Sequence, residues 1–203
     1  MVGWPAHADA QGGAMAEDTR SSAGTTSGPP HVELLLAFTN SVDQEEQTDD
    51  LTTPAELTAW LAANGLLEHG RADAADLSSA RAMREAMREA MRGHHDGVQR
   101  GHRLDTLAAG YPVVLDCTTE PPGLRPAQSG VRGALAHLVV AVNAAAADDT
   151  WRRLKICAAD DCQWAFFDAS KNRSRTWCEW GCGNKAKTRN YRARRKAALA
   201  STE

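Results

Sequence analysis

Four cysteines near the carboxyl terminus constrain the fold of this chain more than any other feature. They form two close pairs, Cys157-x4-Cys162 and Cys178-x3-Cys182, with fifteen residues between the pairs. A segment of that length can fold back so that four thiolates surround one ion at about 2.3 Å, the tetrahedral arrangement typical of structural zinc. The spacing therefore predicts one structural Zn²⁺ bound by Cys157, Cys162, Cys178 and Cys182.

Two other uses of these cysteines are compatible with their spacing. Disulfides are disfavoured because the N-terminal sequence MVGWPAHADAQGG lacks the basic and apolar segments of an export signal, so we expect a cytoplasmic protein with reduced thiols. Iron also binds to four thiolates, and geometry alone does not separate it from zinc. The fifth cysteine, Cys117, stands alone in YPVVLDCTTE and is expected to be a small buried side chain.

The charge of the chain is divided between its two parts. Residues 151–203 contain thirteen Lys or Arg and five Asp or Glu, a net charge of +8, whereas residues 1–150 carry a net charge of −11. Such asymmetry predicts a basic tail for nucleic acid attached to an acidic body that would not itself bind nucleic acid. The alternatives are that the tail docks on the acidic body, or that it is only a solvated helix.

The rest of the chain predicts a mainly helical body with a minor β element. Apolar residues recur at helical spacing in HVELLLAFTNSVD, where Val42 continues the stripe, in the segment that Thr53 caps, in residues 75–93 and from Val131 to Asp148. Residues 103–123 alternate apolar and polar side chains and predict a short hairpin or two strands. The sequence contains no run of 18 apolar residues, so a membrane span is not expected.

The segment 75–93 contains a repeated AMRE motif. Met83, Met87 and Met91 form a stripe at helical spacing that is typical of a core-facing surface. Two pairs, Glu85 with Arg88 and Glu89 with Arg92, are expected on the outer face of the same helix.

Polar residues of the body offer two further candidate sites. Asn40 and Asp43 lie three residues apart in the predicted FTNSVD helix and are candidates for a ligand pocket; the alternative is a satisfied buried Asn and a surface Asp. His94, His95 and His102 cluster in a Gly-flanked segment. Because no carboxylate or cysteine lies at a suitable spacing, a metal site is not expected there.

The cysteine region itself predicts a treble-clef-like module. KICAADDCQW has the form of a zinc knuckle, WAFFD and RTW suggest a β-hairpin around Ser170–Arg173, and the second cysteine pair is expected on one helical turn. Four protein thiolates leave no coordination position open for catalysis. The sequence also contains no P-loop, dinucleotide fingerprint or GxSxG motif, so the chain is not expected to be an enzyme.

The helix expected after Cys182 is strongly basic. It places Lys185, Arg189 and Arg192 along one face, where they can meet phosphates, and Asn or Arg side chains there can read base edges. The residues predicted to contact nucleic acid are Arg173, Arg175, Asn184, Lys185, Lys187, Arg189, Arg192, Arg194 and Arg195.

Several of these motifs resemble a known family. CAADDC, FFDASKNRSRTWC and CGNKAK are similar to the CGNR zinc finger of stress-induced bacterial transcription regulators, and LAFTNSVD followed by TPAELTAWLAANGLL resembles the ABATE domain that precedes this finger. The resemblance covers about residues 32–196 and implies zinc ligation by the four cysteines and nucleic-acid binding by the finger. The chain departs from the pattern at Lys185, which replaces the final Arg of the motif, and in the second cysteine pair, which is one residue shorter than usual.

These observations predict a mainly α body with a minor β-hairpin, an α+β fold, followed by a small four-cysteine zinc module. We expect a disordered tail over residues 1–30, with Met15 as an alternative start, an ABATE-like domain over 31–150 and a CGNR-type finger over 151–203. The expected function is that of a DNA-binding transcription regulator whose body senses an unknown small-molecule effector or forms a homodimer. Two alternatives without DNA binding stay open: a protein-interaction module, and a thiol or zinc redox sensor.

Overall fold

The computed structural model describes residues 28–95, 97–179, 181–188 and 191–192. The helices of the body are α1 (Pro30–Thr39), α2 (Pro54–Ala63), α3 (Ala74–Arg92), α4 (His102–Ala108) and α5 (Gly130–Ala147). Its antiparallel hairpins join β1 (Val42–Asp43) to β2 (Thr48–Asp49) and β3 (Val113–Asp116) to β4 (Gly123–Pro126). A 3₁₀ turn, Trp151–Arg153, leads into β5 (Leu154–Ile156), which pairs with β6 (Ala165–Phe167), and a last helix, α6, begins at Cys182 and is described over 182–188.

This architecture is the mainly helical α+β fold that the sequence predicts. Residues 1–27 lie outside the described ranges, so the expectation of a disordered tail and the alternative start at Met15 stay predictions. The start of α2 is confirmed in detail, because Thr53 and Glu56 form a reciprocal capping box and Pro54 occupies the first helical position.

The main core lies between α1, α3 and α5. Phe38 of α1 and Leu135 of α5 are fully buried, and so are Met83, Met87 and Met91 of α3. The methionine stripe is therefore a core surface, as predicted, and each such side chain contributes about 1.5–3 kcal/mol by leaving water. Packing against this apolar stripe, rather than intrinsic helix propensity, holds α3 in place.

One helix of the described ranges, α5, is long and apolar enough by length and composition to cross a membrane. Its Val131, Leu135 and Leu138 side chains are buried in the core of the body, which accounts for its apolar composition. Gly133 lets the segment that follows β4 approach this helix closely, because a Cβ atom there would lie 2.2 Å from the carbonyl oxygen of Gln128.

Three local expectations are wrong. Val42 does not continue the first helix, since α1 ends at Thr39 and the chain turns into β1. Residues 102–108 are helical rather than extended, with Leu104 buried, and only the later part of the segment forms the predicted hairpin. Cys117 is exposed because it lies in the turn between β3 and β4 and not in the core.

The arginines of α3 also differ from expectation. Arg84 and Arg88 are 3% and 1% exposed, so Arg88 is not on an outer face, although its Nε lies 3.8 Å from Glu85. Arg84 forms a two-point ion pair with Asp49 at 2.7 and 2.8 Å. Arg88 donates to the carbonyl oxygen of Thr39 at 2.8 Å and so satisfies a group that the end of α1 leaves unpaired.

Candidate metal centre and nucleic-acid face

The four cysteines predicted to bind zinc meet at one point. Their Sγ atoms all lie within 4.8 Å of one another and all four residues are buried. The Sγ atom of Cys178 lies 3.7 Å from those of Cys162 and Cys182. A tetrahedron with metal–sulfur bonds of about 2.3 Å has edges of about 3.8 Å, so the spacing fits one tetrahedral ion.

Each cysteine is positioned by a different local device. Cys157 directly follows β5, and its N–H donates to the carbonyl oxygen of Trp164 at 2.8 Å, which closes the knuckle. Cys162 donates to Ala159 at 3.0 Å within the turn. Cys178 precedes the helical turn, whereas Cys182 is the first residue of α6, so the expectation that both lie on one helical turn is only half right.

The predicted hairpin between WAFFD and RTW is wrong. Strand β6 pairs instead with β5, with Leu154 opposite Phe167 and Ile156 opposite Ala165, so the hairpin encloses the knuckle. The following segment is irregular because the buried side chains of Lys155 and Asp168 hydrogen-bond to its backbone. The carboxylate of Asp168 accepts from the N–H groups of Ser170 and Arg175, at 3.0 and 2.9 Å.

The thiols of the cluster are close enough to shift one another's pKa values. Hydrogen bonds from Cys162 and Cys178 hold the pKa of Cys157 far below its usual range. The same hydrogen bond to Cys157 raises the pKa of Cys162. Four adjacent thiolates would repel one another, and a divalent cation supplies the charge that lets them ionise together. The cluster therefore suits a bound divalent metal.

Side chains of the body hydrogen-bond to the backbone of the β5–β6 hairpin, which encloses the knuckle (the knuckle hairpin). The side-chain amide of Asn40 donates to the carbonyl oxygen of Ala165 at 2.9 Å and accepts from the N–H of the same residue at 2.8 Å. Arg88 donates to the carbonyl oxygen of Gln163 at 2.9 Å, and His94 and His95 donate to those of Leu154 and Ile156 at 2.7 and 2.5 Å.

Apolar contacts join the same two parts. Leu154, Ile156 and Ala165, from the finger's own strands, belong to the main core of the body. The strands of the finger and the body thus share one hydrophobic core, whereas the four cysteines pack with Phe166 in a second, smaller cluster. The expected boundary after residue 150 therefore divides two parts of the chain that are packed together.

The candidate pocket residues of the body have structural partners. Asn40 is half-buried and bound to Ala165, and the Asp43 carboxylate accepts from the N–H groups of Glu45 and Glu46 at 2.8 and 3.0 Å. Both residues are half-buried, and they lie beyond the end of α1 and in β1 instead of on one helix. The role of Asn40 and Asp43 in ligand binding stays a prediction.

The residues predicted to contact nucleic acid fall into three groups. Arg189, Arg194 and Arg195 lie outside the described residues. Asn184, Lys187 and Arg192 are exposed on and after α6. Arg173, Arg175 and Lys185 have carboxylate partners.

Of the three carboxylate pairs, one lies within the finger and two join the finger to Asp149 and Glu45 of the body. Arg175 is paired within the finger, with Nη1 2.9 Å from Glu179 Oε1, and its guanidinium lies 5.4 Å from the ring centroid of Phe166. Lys185 is paired with Glu45 of the body, a hydrogen bond that raises the pKa of Lys185.

Sequence reasoning missed the buried ion pair of Lys155 and Asp168, and it missed the inward direction of Arg88. A signal for the first was present. Lys155 interrupts an apolar strand, and Asp168 is followed two residues later by Ser170, a spacing typical of a side chain that caps its own turn.

The fold and the cysteine cluster define a helical domain that carries a closed, four-thiolate zinc finger. The ABATE family model, described as "Putative stress-induced transcription regulator", matches residues 33–160, and the model of the CGNR zinc finger matches residues 153–195. The chain therefore belongs to the ABATE family and carries a CGNR zinc finger with one structural Zn²⁺ site. No curated protein matches this chain.

Proposed function

We propose that this protein is a cytoplasmic DNA-binding transcription regulator in which the CGNR finger contacts DNA. The observation that carries the proposal is the position of Cys182, which is both a metal ligand and the first residue of α6. Metal binding therefore fixes the start of a basic helix. Residues 151–203 carry a net charge of +8, as expected for a surface that binds phosphates.

The exposed side of this helix has the residues that such contacts need. Asn184, Lys185, Thr188 and Arg192 line an open depression of about 500 Å³. Lys and Arg neutralise phosphates, and Asn and Arg can read base edges in the major groove. If about five phosphates are contacted, the logarithm of the affinity falls with the logarithm of the salt concentration at a slope near −4.5.

The body has a supporting role in this proposal. It senses an unknown small-molecule effector or forms a homodimer, because operator sites usually consist of two half-sites that a two-fold dimer reads together. The hydrogen bonds that Asn40 and Arg88 donate to the backbone of the knuckle hairpin connect the body to the finger. The metal has only a structural role, since four thiolates occupy its coordination positions, and an enzymatic activity is not proposed.

A second candidate is a protein-interaction module without DNA binding. The observation that favours it is the pairing of Lys185 with Glu45 and of Arg173 with Asp149, because these contacts satisfy part of the basic surface within the chain.

Fluorescence anisotropy of a labelled random duplex, titrated with the full-length protein across a salt series, separates the two candidates. Binding that weakens with salt and disappears with a strong chelator supports the DNA-binding function. A double variant, Lys187→Ala with Arg192→Ala, should bind more weakly, whereas Arg71→Ala with Arg103→Ala, which removes equal charge from exposed positions of the body, should bind as the wild type does. Failure of the wild type to bind at low salt would favour the interaction module.

A further inference from the structure

Two of the residues predicted to contact nucleic acid are held by carboxylates of the body. Lys185 Nζ lies 3.3 Å from Glu45 Oε1. Arg173 contacts the carboxylate of Asp149 with both terminal nitrogens, with Nη1 3.2 Å from Oδ1. The donors in these contacts are the groups that would bind a phosphate, because carboxylate and phosphate oxygens accept from the same cations.

The carboxylate of Glu45 is presented by a fixed turn. The turn between β1 and β2 is closed by Asp43, whose carboxylate accepts from the N–H of Glu45 at 2.8 Å. At the other end of the hairpin, Asp49 is anchored by the buried guanidinium of Arg84 at 2.7 and 2.8 Å. Glu45 is therefore placed against α6 by the backbone of the body and not only by its own side chain.

The pair of Arg173 and Asp149 is also set by its backbone. Both residues have left-handed conformations, with φ of 51° and 64°. Such conformations are uncommon for residues other than glycine and persist where the surroundings determine them. Lys155 supplies part of those surroundings, because its ammonium group contacts the carbonyl oxygen of Arg173.

We propose that Glu45 and Asp149 act as an intramolecular competitor for nucleic acid, so that the body partly inhibits the finger by occupying Lys185 and Arg173. This inference rests on the proposed binding of DNA by the finger. A phosphate that approaches either cation has to displace a carboxylate that is tethered and therefore always near. Because exposed ion pairs are individually weak, inhibition is partial, and loss of both carboxylates tightens binding about 3- to 10-fold at low salt.

The test compares three zinc-loaded, full-length proteins: the wild type, Glu45→Gln with Asp149→Asn, and a control, Glu68→Gln with Asp105→Asn. The control removes the same two negative charges from exposed positions of the body, so it reports the effect of net charge alone. Anisotropy with a labelled random duplex gives the affinities across a salt series, and zinc content and the unfolding midpoint are measured for each protein. If the double variant loses zinc, the single variants Glu45→Gln and Asp149→Asn repeat the comparison.

The expected result is about 3- to 10-fold tighter binding by Glu45→Gln with Asp149→Asn than by the control, with a difference that shrinks as salt rises. Binding by Glu45→Gln with Asp149→Asn, when neither the wild type nor the control binds, would support the same conclusion. Equal affinities of the two double variants, or weaker binding by Glu45→Gln with Asp149→Asn, would overturn the competitor while leaving DNA binding intact. No binding by any of the proteins at low salt would instead overturn the DNA-binding function itself.

Discussion

The ammonium group of Lys155 lies 2.8 Å from Asp168 Oδ2 in the interior of the zinc finger, where the two side chains are 2% and 0% exposed. Lys155 also donates to the carbonyl oxygens of Arg173 and Arg175, so all three of its N–H groups have acceptors. Asp168 in turn accepts from the N–H and the hydroxyl of Ser170 and from the N–H of Arg175. One buried ion pair thus fixes the loop that presents two of the basic residues predicted to contact DNA.

Replacing Lys155 by Met should destabilise the protein severely. The substitution leaves the Asp168 carboxylate buried without its cation, and breaking a buried pair in this way typically costs about 3–5 kcal/mol. Urea unfolding of the zinc-loaded protein measures the cost. Lys187→Met, at an exposed position of α6, is the matched control and should change the free energy of unfolding by less than about 0.5 kcal/mol. A cost for Lys155→Met as small as that of the control would contradict the structural role assigned to the pair.

Replacing Asn40 by Ala should weaken the attachment of the knuckle to the body. The variant leaves the N–H and the carbonyl group of Ala165 without their partners, and each unsatisfied buried group costs about 1–3 kcal/mol. Zinc affinity should fall as well, because β6 leads out of the knuckle that carries Cys162. A competition titration with a chromophoric chelator measures that affinity.

A comparison variant distinguishes the two hydrogen bonds of Asn40. Asn40→Asp keeps an oxygen that accepts from Ala165 N–H but loses the donor to its carbonyl group. Its second carboxylate oxygen also faces the carbonyl oxygen of Ala165 and is repelled by it, so Asn40→Asp should be no more stable than Asn40→Ala if the donated hydrogen bond is the important one. Unchanged stability and zinc affinity in Asn40→Ala would show that the amide is dispensable and would return Asn40 to the role of a pocket candidate.

The features that the sequence predicts correctly depend on residues close together in the chain. The capping box of Thr53 and Glu56 and the methionine stripe of α3 follow from local spacing. The cysteine cluster spans more residues, but the chemistry of zinc itself requires the two pairs to meet.

The features that the sequence does not predict are polar contacts between distant segments. Asn40 and Ala165 are 125 residues apart and leave no periodic signal. Arg88 is misassigned for a related reason: a charged residue in a helix is usually exposed, and only the packed structure reveals carbonyl oxygens that compensate its burial. The hairpin partner of β6 is misassigned because β6 pairs with the strand that precedes the knuckle, and alternation of apolar residues does not reveal which strands pair.

Acidification below neutral pH should weaken the contact between the body and β5. Burial lowers the pKa of His94, which donates from Nδ1 to Leu154 and packs edge-on against Trp151. Because the folded protein binds the proton less readily than the unfolded chain does, stability is lost as pH falls through the ordinary histidine range near about 6.5.

Urea unfolding at several pH values between about 7.5 and 5.5 measures this loss, with zinc content checked at each value. His94→Gln keeps a donor that can reach the carbonyl oxygen of Leu154 but does not titrate, so its stability should depend less on pH than that of the wild type. Identical pH dependence in the two proteins would exclude His94 as the titrating group.

Removal of the metal should destabilise the body as well as the finger. Structural zinc contributes about 10–16 kcal/mol in zinc-finger peptides, and without it the four buried thiols have no common partner. Strands β5 and β6 place Leu154, Ile156 and Ala165 in the main core, so their loosening exposes apolar surface of α1 and α3. Two independent domains would instead leave residues 31–150 unchanged.

Hydrogen exchange of the full-length protein, with and without a strong chelator, decides between these outcomes. Shared packing predicts that protection falls in β5 and β6 and also at the end of α1. There Asn40 loses its contact with Ala165, and Arg88, which donates to the carbonyl oxygen of Thr39, loses its second acceptor at Gln163. Cys162→Ser should reproduce the effect of the chelator, whereas Cys117→Ser, at the exposed turn of the β3–β4 hairpin, should retain zinc and normal protection. If the chelator alters exchange only within residues 154–192, the body folds independently and the contacts of Asn40 and Arg88 contribute little to its stability.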